Sequence, residues 1–117
     1  MASTTIVDSY STGMTNSEIK LKVTIQNSQL AKSTVRLNKR IIGEYEDSFQ
    51  VSLGNANDIM GSVLYIDTTE ADIDPDANMT SFAIELTGGT APYLNSRSQT
   101  VSPGGYVLYT AEIALIP

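Results

Sequence analysis

Apolar side chains recur at every second position along most of the chain, and no stretch shows the 3.6-residue spacing of an amphipathic helix. The cleanest case is EIKLKVTIQ (18–26). Ile19, Leu21, Val23 and Ile25 fall on one face, and Lys20, Lys22 and Thr24 on the other. Successive side chains of a strand point to opposite faces, so this spacing predicts a half-buried strand. STVRLN (33–38) repeats the pattern briefly with Val35 and Leu37, and DSFQVSLG (47–54) with Phe49, Val51 and Leu53. TSFAIELT (80–87) turns Phe82, Ile84 and Leu86 inward and Ser81 and Glu85 outward. SVLYIDT (62–68) is a short apolar run, read as a strand with two partly covered faces. YVLYTAEIALI (106–116) is the longest candidate, apolar on both faces, and is expected at the centre of a sheet. TTIVDSY (4–10) is expected to open the domain as an edge strand.

Turn formers separate these runs: Asn27-Ser28, Asn38-Lys39, Gly54-Asn55, Gly88-Gly89 and Pro103-Gly104-Gly105. One short helical turn is expected in NANDIMG (55–61), capped by Asn57. A strand and a turn about every ten residues predicts a single all-β domain over 1–117. The expected architecture is an antiparallel β-sandwich of about seven or eight strands, with a small β-barrel as the alternative.

Composition narrows the chemistry. The chain has 117 residues, with 41% hydrophobic and 17% charged, which suits one globular core. Ser and Thr supply 26 residues, as exposed strand faces and turns require. Histidine and cysteine are both absent. No Ser-His-Asp triad, cysteine nucleophile, disulfide or His- or Cys-ligated metal can therefore form. Tryptophan is absent too. The net charge is −6, and Lys20, Lys22, Lys32, Arg36, Lys39 and Arg40 are all but one of the basic residues. Phosphate backbones would repel such a chain, so nucleic acid is not expected as a partner. No window is apolar enough for a membrane-spanning helix, and MASTTIVDSY lacks the regions of a signal peptide. The expectation is a cytoplasmic protein or one cut from a precursor.

Four stretches carry candidate chemistry. EADIDPDANMT (70–80) sets Asp72, Asp74, Asp76 and Asn78 at alternate positions, a supply of oxygen ligands suited to calcium. The spacing resembles the opening of an EF-hand loop. Ala77 and Ala83 then stand where that loop needs its glycine and its bidentate glutamate, which excludes an EF-hand. A solvated acidic turn is the preferred reading, since Asp-Pro favours turns. A calcium site between strands is the alternative, with Asp67 or Glu70 as further ligands. No other cofactor is expected.

GGTAPYLNSRSQTVSPGG (88–105) is a long polar connection with Tyr93, Asn95, Arg97 and Gln99 on one side when extended. Together they offer a stacking ring and fixed donors and acceptors for a ligand. The preferred reading is an exposed edge strand between two glycine turns, anchored by Leu94 and Val101. Glu44, Glu46 and Asp47 place carboxylates close together, as glycoside hydrolysis needs, but a solvated hairpin is the preferred reading. The apolar C-terminal strand is either core or, if exchanged, a contact with another subunit.

The functional expectation is a non-catalytic recognition module that binds a protein or carbohydrate surface through loops at one end. A structural subunit of a larger homo- or hetero-oligomeric assembly is the alternative. A carboxylate hydrolase ranks last.

Overall fold

The computed structural model describes residues 2–26, 30–71, 79–102 and 104–117. Among them are nine strands: β1 (Ala2–Ser11), β2 (Glu18–Thr24), β3 (Leu30–Leu37), β4 (Arg40–Glu46), β5 (Phe49–Asn55), β6 (Val63–Ala71), β7 (Met79–Thr87), β8 (Tyr93–Thr100) and β9 (Tyr106–Ile116). One helical turn, α1 (Ala56–Ile59), joins β5 to β6. The strands form two sheets, in the orders β1-β9-β6-β3-β4 and β5-β2-β7-β8. The sheets pack face to face as a sandwich, and neither closes into a barrel. No helix among the described residues is long and apolar enough to cross a membrane.

Neighbouring strands are antiparallel with one exception. β1 runs parallel to β9 through ten consecutive pairs, from Ala2↔Val107 to Ser11↔Ile116. β1 is an edge strand, as its sequence suggests. β9 is central: β1 pairs on one side and β6 on the other. The C-terminal strand therefore has no free edge to offer another subunit.

Alternation sets the core. Ile6, Ala111, Ile66 and Val35 lie side by side across four strands of the larger sheet and are all buried. Leu21 and Val23 pair with Leu86 and Ile84 on the facing sheet, and all four are fully buried. Burying an aliphatic or aromatic side chain of this size stabilises the fold by about 1.5–3 kcal/mol each. Phe82 and Tyr109 stack between the sheets, with ring centroids 5.2 Å apart.

Nine strands are one more than the upper end of the expected seven or eight, and β4 and β8 are the two that lie outside the seven alternating runs. β8 is the edge-strand reading of the 88–105 connection, with Val101 buried beyond its end, but Leu94 faces solvent and anchors nothing. β4 follows β3 through a turn at Asn38-Lys39, where Asn38 takes a left-handed φ of 53°. A register shift between Val35 and Arg36 breaks the alternation of this hairpin. The cap of α1 also differs from expectation. Asn55, not Asn57, is the N-cap, and its side chain makes no capping bond. The N–H groups of Ala56 and Asn57 instead donate to the carbonyls of Ser17 (2.8 Å) and Thr15 (2.9 Å), so no side-chain cap is needed.

The β7–β8 turn depends on Gly88. Its φ is +99°, and a Cβ there would lie 2.0 Å from the Glu18 carbonyl oxygen. Gly61 has a similar φ of +89° but open space around it. In urea unfolding, Gly61→Ala should lose roughly 1–2 kcal/mol from its left-handed backbone. Gly88→Ala should lose at least about 2 kcal/mol more, because the backbone of β2 must also move. Equal losses would show that the contact with Glu18 does not constrain the turn.

Candidate functional site

The pairing of β8 with β7 decides where the polar quartet points. Tyr93 lies opposite Leu86, Asn95 opposite Ile84, Arg97 opposite Phe82 and Gln99 opposite Thr80. Directly paired residues share a face, and those four β7 residues face the core. Tyr93, Asn95, Arg97 and Gln99 therefore line up together, on the inner side of an edge strand, facing β1. The Tyr93 hydroxyl donates to Asp8 Oδ2 (2.9 Å) and accepts from Asn95 Nδ2 (3.2 Å). Arg97 Nη1 donates to Asn95 Oδ1 and to the Ser96 carbonyl. Thr4 Oγ1 donates to Gln99 Oε1 (2.7 Å). This polar seam closes one flank of the sandwich. Burial, and to a lesser degree the nearby Asp8 charge, raises the Tyr93 phenol above its ordinary value.

Asp72, Asp74, Asp76 and Asn78 lie outside the described residues. Their two suggested helpers are on opposite faces of β6. Asp67 is on the outer face, 3.8 Å from Arg36 Nη2, while Glu70 points into the core. One cation cannot take both. Among the described residues no three acidic side chains converge as a metal site would require. Glu44 and Glu46 are exposed on β4, across from Thr34 and Lys32, and Asp47 occupies the turn into β5 with a φ of 55°.

Glu70 is the feature that the sequence pattern did not isolate. It is fully buried. Oε1 accepts a hydrogen bond from the Ser81 N–H at 3.3 Å, while Oε2 has no partner among the described residues. Burial raises its pKa from 4.5 to about 7, and the Ser81 hydrogen bond offsets only part of that. Thr80 Oγ1 donates to the Gln99 carbonyl (2.9 Å) and lies 2.7 Å from the Tyr109 hydroxyl. Ser33 and Thr68 share a buried hydrogen bond of 2.6 Å. The core is thus apolar along most of its length and polar at the end where β6 finishes and β7 begins. The alternation Leu64, Ile66, Thr68 continues to Glu70. A strand reading that stops at Thr68 leaves Glu70 in the acidic turn.

On the outer face of the larger sheet, that same end carries an apolar row. Leu30 pairs with Ala71, and Ala71 with Tyr106. Leu30 and Tyr106 are each 55% exposed. The row borders a groove of about 410 Å³, fringed by Lys32, Thr34, Glu46, Asp67 and Thr69. Neither Lys32 nor Glu46 forms an ion pair among the described residues.

The folded protein holds the Glu70 proton more tightly than the unfolded chain does. The stability this provides is complete below about pH 4.5 and is lost as pH rises through about 7. Glu70→Gln stays neutral. It should exceed the parent in stability by about 1–3 kcal/mol at pH 8 and match it near pH 4.5. Denaturant melts at both pH values check this, and an advantage that does not change with pH would contradict it.

The chain matches no protein-family model, no curated protein and no solved structure.

Proposed function

We propose that this protein is a non-catalytic recognition module that binds a carbohydrate in the groove on the outer face of its larger sheet. The observation that carries this reading is the Leu30–Ala71–Tyr106 row beside a polar fringe. A sugar ring has apolar C–H faces and a rim of hydroxyls. The Tyr106 ring suits the face. The Lys32 ammonium can donate to the rim, Glu46 and Asp67 can accept from it, and Thr34 and Thr69 can do either. A groove of about 410 Å³ lies within the range of small-ligand sites. The absence of histidine and cysteine supports a binding role, because the commonest proton-transfer and nucleophilic side chains are missing.

The reading differs from loop recognition in its floor. A pleated sheet presents Tyr106, Ala71 and Leu30 at fixed spacing, which lowers the ordering cost of binding.

A glycan array probed with the full chain, with calcium and with chelator, tests the proposal. The expected result is a restricted set of bound glycans, with Tyr106→Ala weakening the best of them at least tenfold, equivalent to about 1.4 kcal/mol. A flat array in both conditions would overturn it, as would binding that survives Tyr106→Ala. Flat glycans together with Tyr106-dependent binding on a peptide array would move the ligand to the protein class.

A further inference from the structure

The sandwich has two flanks, and they are built differently. On one flank lie the edge strands β4 and β5. Each pairs with its neighbour through a shifted register, at Val35/Arg36 for β4 and at Ile19/Lys20 for β5. β4 carries Arg40, Glu44 and Glu46, and a Tyr45–Phe49 stack with centroids 4.3 Å apart ties the two edges together. Bulges and charges of this kind keep free strand edges from pairing with other chains.

The other flank, β1 and β8, lacks these devices. The β1–β9 ladder runs ten pairs and the β7–β8 ladder eight without a shift. Neither edge strand contains proline, and their only charged residues are Asp8 and Arg97. Both charges are turned to the seam. Asp8 accepts from Tyr93 and from the Ser9 N–H, and Arg97 donates to Asn95 and Ser96. The two most exposed large apolar side chains among the described residues lie on the outer faces of these same strands: Val7 at 72% and Leu94 at 71%.

We infer that this flank is a self-association surface, on which β8 pairs antiparallel with β8 of a second copy of this chain. A strand facing its own copy across a two-fold axis satisfies both rows of edge N–H and C=O groups at once. Side chains select the register. Centring the axis on Arg97 would oppose two guanidinium groups, which is unfavourable. Centring it on Ser96 sets Asn95 opposite Arg97 of the second copy, twice over. That repeats across the axis the donor–acceptor pair that each chain already makes internally. On the outer face the same register places Leu94 beside Ser98 of the second copy. Ser98 borders a second groove of about 410 Å³, which Leu94 of its own chain lines together with Thr24, Gln26, Ser81 and Ser96. The exposed leucine of each copy is thus set beside Ser98 at the rim of the other's groove, twice over. The acidic side chains Glu44 and Glu46 sit on the far flank, where they do not oppose the contact.

The full chain tests this by sedimentation equilibrium from roughly 10 µM to 1 mM. The expected result is a reversible monomer–dimer equilibrium. Leu94→Lys and Ser96→Lys should each weaken it at least tenfold, while Ile41→Lys on the opposite flank leaves it within twofold. Because the chain has no cysteine, single-cysteine variants give a second, independent readout. Paired residues at a two-fold axis lie within disulfide reach, so Ser96→Cys should oxidise to a covalent dimer. Ser52→Cys, exposed on β5, should not. A strict monomer over the whole range would overturn the inference. So would a dimer indifferent to both lysine substitutions, or equal cross-linking at positions 96 and 52.

Discussion

A pleated strand cannot choose which of its residues face the core. Once one side chain points inward, every second one follows, whatever its chemistry. On β6, burying Leu64 and Ile66 commits Thr68 and then Glu70 to the interior. On β8, pairing with β7 commits Tyr93, Asn95, Arg97 and Gln99 to the inner side. Both unusual features of this sandwich, the buried carboxylate and the polar seam, follow from that one constraint. They are answered differently. The seam residues find partners on β1 and on one another. Glu70 has, among the described residues, one partner for two oxygens, and burial raises its pKa.

The polar end of the core has a structural logic as well. Ser33, Thr68, Thr80 and Tyr109 form short hydrogen bonds within a largely apolar interior. Such bonds specify register, because a slip of one residue would leave buried hydroxyls unpaired. They also join elements distant in sequence. Thr80 of β7 meets Tyr109 of β9 and the carbonyl of Gln99, and the Gln99 side chain reaches Thr4 of β1. Glu70 lies beside this chain of contacts, and its charge contributes to raising the Tyr109 phenol, after burial itself.

How much of this was legible depended on how local each signal was. β2, β5 and β7 announce themselves through strict alternation, and the central place of β9 through apolar residues on both faces. β4 does not, because Ile41 is exposed, Gly43 has no side chain and the register shifts in between. The parallel pairing of β1 with β9 joins residues more than a hundred positions apart, and nothing within either segment specifies the partner. The alignment of Tyr93, Asn95, Arg97 and Gln99 followed from extended spacing alone. Which way the row faces did not, because that depends on β7 being the neighbour. Glu70 was within reach: two more residues of alternation beyond Thr68 place it inside. Its charge argued for solvent, and the pleat outweighed that argument.

The groove and the bare flank occupy different surfaces, and their relation follows from symmetry. A two-fold axis that pairs β8 with its copy runs perpendicular to the smaller sheet, so it keeps each outer face on its own side. The larger sheet packs face to face with the smaller one. The outer faces of both larger sheets, and with them both Tyr106 rows, would then point the same way. Two sites presented on one side can engage a repetitive surface together, and the second contact forms at the high effective concentration set by the first. A shallow, open groove that binds weakly alone would gain most from this arrangement. Edge-to-edge pairing would also leave the charged β4/β5 flank free. Its bulges and its Tyr45–Phe49 stack then have a clear role, since they would stop the pair from growing into a continuous sheet.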